Sequence, residues 1–401
     1  MRILIVCQYY YPEKVTITPI AEDLVKRGHE VTVVTGRPNY GLDGIPKAYR
    51  HLSYEERNGV RIHRVWLYPR KKGKLSLILN YLSFNFSSRR FLSRLKEQYD
   101  VVYSMSMSPI MSVQGAGDFA QKRHIPHVLH CLDLWPESAV VAGNVNPEHL
   151  LYRILYRWSR KIYLRADEIL ISSPSFKDYF VSTLRMPASN ISYIPQPPLI
   201  EADDEPSVAK AVELPFGFNL VYSGNVGKLQ LIEEMIEAIK KLPKDAKFHF
   251  HVIGTGANLE AAEKKAKELG IQDKVIFHGP KSVAEVASYY EKADMILVSL
   301  RSGASPVYKT IPNKLITSIA YGKPIFGLIA GDGRELLEQI GGSLIVDEIR
   351  DRIVVGLQKA MALGKEQKEA MGKANREAFE DRFSFEKVMD QLEAAIVSSK
   401  K

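Results

Sequence analysis

The sequence predicts an α/β protein of two Rossmann-like, doubly wound domains facing across a cleft. Three observations carry this. Strand-like and helix-like periodicities alternate in two long series, a Pro-rich and acid-rich break separates the series, and glycine-bearing turns follow several strands. The 401 residues, 45% apolar and 25% charged, supply enough core for two or three domains.

In the first series, Ile3–Cys7 reads as a strand, Thr18–Arg27 as a helix stopped by Gly28, and Val31–Thr35 as a second strand. A strand, helix and strand joined this way imply a crossover and parallel pairing. The alternation continues with strands at Val60–Leu67, Asp100–Met105, His127–Asp133 and Glu168–Ser172, and helices at Leu75–Gln98, Ile110–Arg123 and Leu150–Ala166. Pro195–Pro215 lacks apolar periodicity and reads as a linker. The second series has strands at Phe218–Ser223, Phe248–Ile253, Val275–His278, Met295–Ser299, Pro324–Ile329 and Ser343–Val346. Its helices are Ile232–Lys241, Asn258–Leu269, Val283–Lys292, Lys314–Tyr321 and Gly333–Ile340. A last helix, Glu366–Ile396, with an apolar face of Phe379, Phe383, Phe385, Val388 and Leu392, is expected to pack back across the domains. The expected division is a first domain at 1–195, a linker at 196–215, a second domain at 216–375 and a returning C-terminal helix at 376–401.

Composition narrows the class. No apolar run is long enough for a membrane-spanning helix and no signal-peptide pattern opens the chain, so a cytoplasmic location is expected. Cys7 and Cys131, both in apolar strand contexts, are too few for a disulfide framework or a zinc cluster and read as core thiols. The net charge of +9 is modest for this length and does not call for nucleic acid. Its distribution is uneven, because Arg61 to Lys96 is dense in Lys and Arg and holds no Asp or Glu. Within it, Leu75, Ile78, Leu79, Leu82 and Phe86 form a helical stripe between Lys71, Lys72 and Lys74 on one side and Arg89, Arg90, Arg94 and Lys96 on the other. Such a helix suits an anionic membrane surface through residues 71–96, on the inner face of the cytoplasmic membrane; it equally suits an ordinary domain helix with a core stripe.

Candidate site residues cluster after strands, where ligands of doubly wound sheets bind. Ser223-Gly224-Asn225-Val226-Gly227-Lys228 ends a strand and leads toward a helix, so a diphosphate could meet backbone amides and a helix N-terminus there; a ligand-free turn is the alternative. Gly254-Thr255-Gly256 follows the next strand. Ser302-Gly303-Ala304-Ser305-Pro306 leads through Lys309 to Pro312-Asn313-Lys314, where a lysine at a helix start is unfavourable unless an anion lies between. In the first domain, His130, Asp133 and Glu137 surround Trp135 at a strand's carboxyl end, a combination suited to sugar binding and acid–base work or to a capped turn above a core histidine. The loop carrying Thr16 lacks a phosphate-binding glycine pair and the loop carrying Asn39 and Tyr40 follows the second strand, so both suit acceptor contacts or are ordinary turns.

At these residues the chain resembles the retaining glycosyltransferases of GT-B fold, family 4, along nearly its whole length. The likeness rests on Tyr10-Tyr11-Pro12-Glu13, Arg27-Gly28-His29-Glu30-Val31, Asp133-Leu134-Trp135-Pro136-Glu137-Ser138, Tyr222-Ser223-Gly224-Asn225-Val226-Gly227, Gly254-Thr255-Gly256 and Ala320-Tyr321-Gly322-Lys323-Pro324. With Pro312-Asn313-Lys314-Leu315 it is most similar to the branch adding amino sugars such as N-acetylfucosamine in O-antigen and capsule assembly. The resemblance implies a UDP-sugar donor as substrate, a lipid-linked (polyprenyl-diphosphate) saccharide acceptor, retention of configuration, and neither metal nor other cofactor. It implies catalytic roles for Asp133, Glu137 and His130. It implies donor contacts from Gly224, Asn225, Gly227, Lys228, Gly254, Gly256, Ser302, Gly303, Lys309, Lys314 and Thr317. The chain departs from the family pattern where an Arg and a Lys are usual on the glycine loop, having Asn225 and Gln230, and where two Glu are usual, having Lys309 and Thr317. Lys228 and Lys314 are the replacement cations. A UDP-sugar 2-epimerase or a non-catalytic nucleotide-sugar-binding module on the same plan are the rivals.

Overall fold

The structure, a computed structural model, describes residues 1–42, 44–71, 73–198, 212–303 and 305–400. Residues 199–211 of the expected linker, Lys72 of the basic segment and Ala304 lie outside the described residues. The rest divide into two compact units, those within Met1–Leu199, Ser305–Val307 and Phe385–Lys401, and those within Ile200–Ala304 and Tyr308–Ser384.

The first unit carries strands β1 (Arg2–Val6), β2 (Glu30–Gly36), β3 (Tyr54–Arg57), β4 (Val60–Val65), β5 (Val101–Ser106), β6 (His127–Cys131), β7 (Glu168–Ile171) and β8 (Ile191–Tyr193). Its helices are α1 (Ile17–Lys26), α2 (Lys74–Leu92), α3 (Gln114–Arg123), α4 (Glu137–Val141), α5 (Leu150–Tyr163) and the single turn α6 (Phe176–Asp178). The sheet order is β3-β4-β2-β1-β5-β6-β7-β8, parallel except for the edge strand β3. The direction of strand addition reverses between β1 and β5, which opens a crevice at their carboxyl ends. Periodicity missed β3 because its Tyr-Glu-Glu-Arg sequence is an exposed polar edge; Asn58-Gly59, both with positive φ, is the hairpin signal that reveals it. Cys7 and Cys131 are buried, and burial pushes both thiols up to about 12.

The second unit carries β9 (Phe218–Ser223), α7 (Ile232–Lys240), β10 (Phe248–Ile253), α8 (Leu259–Glu268), β11 (Val275–Gly279), α9 (Val283–Lys292) and β12 (Met295–Ser299). It continues with α10 (Asn313–Ala320), β13 (Ile325–Leu328), α11 (Gly331–Ile340), β14 (Ser343–Ile345), α12 (Arg350–Ala362) and α13 (Lys365–Arg382). Its fully parallel order, β11-β10-β9-β12-β13-β14, reverses between β9 and β12. Helix α12 went unread because part of its buried face is Gly356 and Ala360, too small to give apolar contrast; a Cβ on Gly356 would stand 2.5 Å from Val346. The final helix expected as one piece is two. The chain breaks at Phe383 and Ser384, and α14 (Phe385–Ser398) places Val388, Met389, Leu392 and Ile396 in the first unit's core beside Ile3, Ile20 and Leu24. Arg27 and His29 fasten it through Glu393, at 2.8 Å each.

Helix α2 is turned opposite to its apolar stripe. Asn80, Asn85 and Ser88 point inward with Phe84 and Leu92, while Leu75 (70% exposed), Ile78, Leu79, Leu82 and Phe86 (66%) face solvent. The inward amides are satisfied: Asn80 donates to Asn39 Oδ1 at 2.9 Å and to the Tyr68 carbonyl at 2.6 Å, and Asn85 donates to the Met111 carbonyl at 2.6 Å. This bonding removes the main cost of burying a polar face. No helix among the described residues is long and apolar enough to cross a membrane.

Candidate functional site

The second unit gathers its glycine loops at the carboxyl ends of β9 and β10. Gly224 and Gly254 have φ of +134° and +132°, and a Cβ on Gly254 would lie 2.0 Å from the Gly224 carbonyl oxygen. One on Gly256 would lie 2.3 Å from the Val226 carbonyl oxygen. The glycines therefore let two loops lie against each other, joined by Val226 N–H to the Thr255 carbonyl at 2.9 Å and Asn258 N–H to the Val226 carbonyl at 2.9 Å.

Lys314, in the first turn of α10, reaches this loop. Its Nζ donates to Tyr222 Oη at 2.6 Å, lies 3.9 Å from the centre of that ring, and occupies the space a Gly224 side chain would need. Tyr222 Oη in turn donates to the Asn225 carbonyl at 2.5 Å. Among the described residues no carboxylate pairs with Lys314, and burial lowers its ammonium to about 7. A partly buried cation beside a glycine loop, at a helix start whose first turn holds no acids, is an arrangement suited to an anion.

Other donor-site expectations are placed differently. The helix after the glycine loop begins at Ile232, where it was expected, but a 3-10 turn over Lys228–Gln230 separates it from Gly227, and its first turn carries Glu233 and Glu234. Those acids already complement its dipole, and the Gly227 N–H is taken by Gln230 Oε1 at 3.0 Å, so this terminus offers an anion little. Asn225 and Gln230 touch each other through their amides at 3.5 Å. Lys228 is exposed, and its carbonyl accepts from Arg301 at 3.4 Å. Ser302 donates through its N–H and hydroxyl to Glu348, a partner the sequence did not mark. Gly303 packs against the Tyr308 ring, Lys309 is exposed, and Thr317 donates its hydroxyl proton to the Lys314 carbonyl at 3.0 Å, leaving only acceptor capacity.

In the first unit, Asp133 follows β6 by two residues and is held by Ser138 and by Ser108, which stands just past β5. Burial raises its carboxyl to about 6, against the opposing pull of the two hydroxyls and the Leu134 N–H. A cavity of about 10 Å³ lies at the β1–β5 reversal, lined by Cys7, Gln8, Tyr9, Met105 and Ser108 among others. Glu137 heads α4 and accepts from Tyr152 Oη at 2.7 Å and Tyr179 Oη at 3.4 Å. His130 does not reach the crevice. It is 0% exposed, with Nδ1 3.0 Å from Tyr103 Oη and Nε2 3.3 Å from the Ile194 carbonyl, and burial lowers it to about 4.

The acceptor-loop residues are mostly enclosed. Thr16 Oγ1 meets Met105 Sδ at 3.8 Å and accepts from Gln196 at 3.2 Å. Asn39 lies in the Gln8–Asn80 amide network, where Gln8 donates to Asn80 at 2.8 Å, while Tyr40 is exposed and its ring lies tilted against Tyr9 at 4.8 Å between centroids. The residue ordering these loops is Glu13, whose carboxylate accepts from the N–H groups of Tyr10, Asn39 and Tyr40 at 3.1, 2.8 and 2.6 Å. Burial still raises it to about 7. Its presence in the Tyr-Tyr-Pro-Glu motif was legible; its partners, 26 and 27 residues on, were not.

Residues 14–197 match the family described as Glycosyl transferase 4-like domain, and residues 217–378 match Glycosyl transferases group 1. The chain is similar to an Escherichia coli K12 protein named for glycosyl transfer in colanic acid biosynthesis, WcaI, at 24% identity over 91% of this chain and 93% of that one. It is also similar to a Pseudomonas aeruginosa protein named as a glycosyltransferase, WbjE, at 28% identity over 55% and 54%. Among solved structures, sucrose-phosphate synthase of Thermosynechococcus elongatus superimposes with a TM-score of 0.71 at 17% identity, over 98% and 97% of the two chains. Anabaena HepE, solved with UDP, gives 0.67 at 13% identity over 99% and 100%. These structural likenesses show the fold, the GT-B type.

Proposed function

We propose that this glycosyltransferase, with a glycosyl transferase 4-like domain followed by a glycosyl transferases group 1 domain, transfers an N-acetylated hexosamine or deoxyhexosamine from a UDP-sugar to a lipid-linked (polyprenyl-diphosphate) saccharide, with retention and without a metal, in bacterial surface polysaccharide assembly. The observation that carries the donor half is Lys314, a partly buried ammonium that pairs with no carboxylate among the described residues, set against Gly224 at the reversal point of the second sheet. In this reading the departing diphosphate gains its counter-charge from Lys314 and the start of α10, in a site preorganised before the bond breaks. Lys228, exposed beside the same loop, is a secondary contact.

Asp133 takes the acceptor side. Raised toward neutrality and oriented by two serine hydroxyls, it suits accepting a proton from an acceptor hydroxyl or facing developing positive charge on the sugar. Glu137 acts through the Tyr152 and Tyr179 hydroxyls that hold it, and His130 acts as a neutral post beneath the strand end. The name of WcaI, given for colanic acid biosynthesis, supports a surface-polysaccharide role, and the UDP in HepE supports the donor class. The outward stripe of α2 supports a peripheral position on the inner face of the cytoplasmic membrane, where a lipid-linked acceptor would be met.

The test is turnover with a panel of nucleotide sugars and a polyprenyl-diphosphate-linked acceptor in detergent. Transfer that requires both partners, with anomeric retention, is the expected result. Conversion of a UDP-sugar with acceptor absent would replace this reading by a 2-epimerase, and binding without turnover by a non-catalytic module.

A further inference from the structure

Beside the end of the α2 stripe lies a cavity of about 490 Å³ that neither the glycine loops nor the Asp133 cluster uses. Trp66, just past β4, and Phe91 form its apolar walls, and Arg90, Arg94 and Lys96 bring three cations to it. Neighbouring basic groups are neutralised: Arg89 pairs with Asp118 at 2.7 Å, and Arg64, buried in the same wall, pairs with Glu55. Among the described residues Arg90, Arg94 and Lys96 have no such carboxylate. Arg90, in the last turn of α2, and Arg94, in the turn that follows it, line the same cavity, and like charges gathered there repel unless an anion neutralises them.

Two further features say what that anion belongs to. Trp66 is 53% exposed, an amphipathic ring of the kind that favours the boundary between hydrocarbon and water. Phe86, four residues before Arg90, ends the solvent-facing row of Leu75, Ile78, Leu79 and Leu82, so the cations flank an apolar surface. A free phosphate would use the cations and leave the row in water; a phospholipid uses both.

We propose that this cavity binds the phosphate of an anionic phospholipid headgroup while the α2 row enters the outer part of the acyl region. The proposal rests on the membrane part of the reading above and gives it a defined contact, separate from donor chemistry. Basic residues at an anionic surface contribute additively, so losing three should lower partitioning by about two orders of magnitude.

The experiment is co-sedimentation of the full chain with phosphatidylcholine vesicles and with vesicles containing phosphatidylglycerol. Wild type should prefer the latter, and the variant Arg90→Ala/Arg94→Ala/Lys96→Ala should fall to the neutral-vesicle level while keeping its far-ultraviolet spectrum and its turnover on a detergent-dispersed acceptor. Trp66→Ala should weaken the preference. Glycerol phosphate in solution should fail to release wild type from vesicles; release would mean a site for free phosphate and overturn the proposal. It is also overturned if the triple variant binds like wild type, if wild type shows no headgroup preference, or if the charge-matched variant Lys26→Ala/Lys47→Ala/Lys177→Ala loses as much. Loss of detergent turnover in wild type would defeat the transferase reading instead, a separate outcome.

Discussion

Replacing Lys314 by Met tests the donor site in two opposite directions. Burial lowers the Lys314 ammonium from the ordinary 10.5 to about 7, which corresponds to roughly 5 kcal/mol against the charged form in the folded protein. The unfolded chain keeps this proton up to about 10.5, whereas the folded chain releases it above about 7. The group therefore costs stability most fully below about 7, and the cost is relieved as pH rises toward 10.5. Met is close to Lys in length and carries no charge, and Tyr222 Oη keeps its bond to the Asn225 carbonyl. The free Lys314→Met protein should be more stable at neutral pH by about 1–3 kcal/mol. UDP binding should weaken, because a charge-assisted bond to phosphate of about 1.5–3 kcal/mol is lost, roughly 10- to 100-fold in Kd. Titration calorimetry in buffers of different ionisation heat should show wild type taking up a proton with UDP above pH of about 7 and the variant taking up none. Unchanged affinity with unchanged proton uptake would refute Lys314 as the diphosphate cation.

Three further outcomes are expected. Gly254→Ala drives a Cβ to 2.0 Å from the Gly224 carbonyl at a φ of +132°, so denaturant unfolding of the second unit should shift by at least about 3 kcal/mol; a wild-type midpoint would mean the loops separate freely. Asp133→Asn should reduce turnover about 100-fold or more while UDP affinity stays unchanged. Because the unfolded carboxyl ionises from 3.8 upward and the folded one only near 6, wild type loses stability across that window and the Asn variant should not; a variant with full activity would remove Asp133 from the chemistry. His130→Asn should retain most activity. It should also flatten the acid side of the stability profile, since the folded ring charges near 4 and the unfolded ring near 6.5, so stability is lost as pH falls through that interval; His127, lowered similarly, will preserve part of the slope.

The sheets were legible because their strands are short apolar runs between turn residues, and β9 was read with the bounds it has, Phe218–Ser223. Elements with weak contrast escaped: β3, polar on an exposed edge, and α12, whose buried face includes a glycine and an alanine. The last helix was read through its break because Phe379, Phe383 and Val388 keep a near-helical spacing even though they serve the cores of different units.

Site residues divided along a similar line. The glycine turns and the Asp133 loop are local, and their positions after strands follow from sequence. What each does depends on groups far along the chain: Lys314 is defined by Tyr222, 92 residues earlier, and Asp133 by Ser108, in the loop after another strand. Helix α2 makes the same point. Its sequence determined an amphipathic helix with basic ends, because that pattern is a matter of spacing within one segment. Which face meets water was decided only in the tertiary structure, where Asn39, Tyr68 and Met111 offer hydrogen-bond partners to Asn80 and Asn85. Burying those amides is tolerable because they are bonded, and the apolar row is left outside.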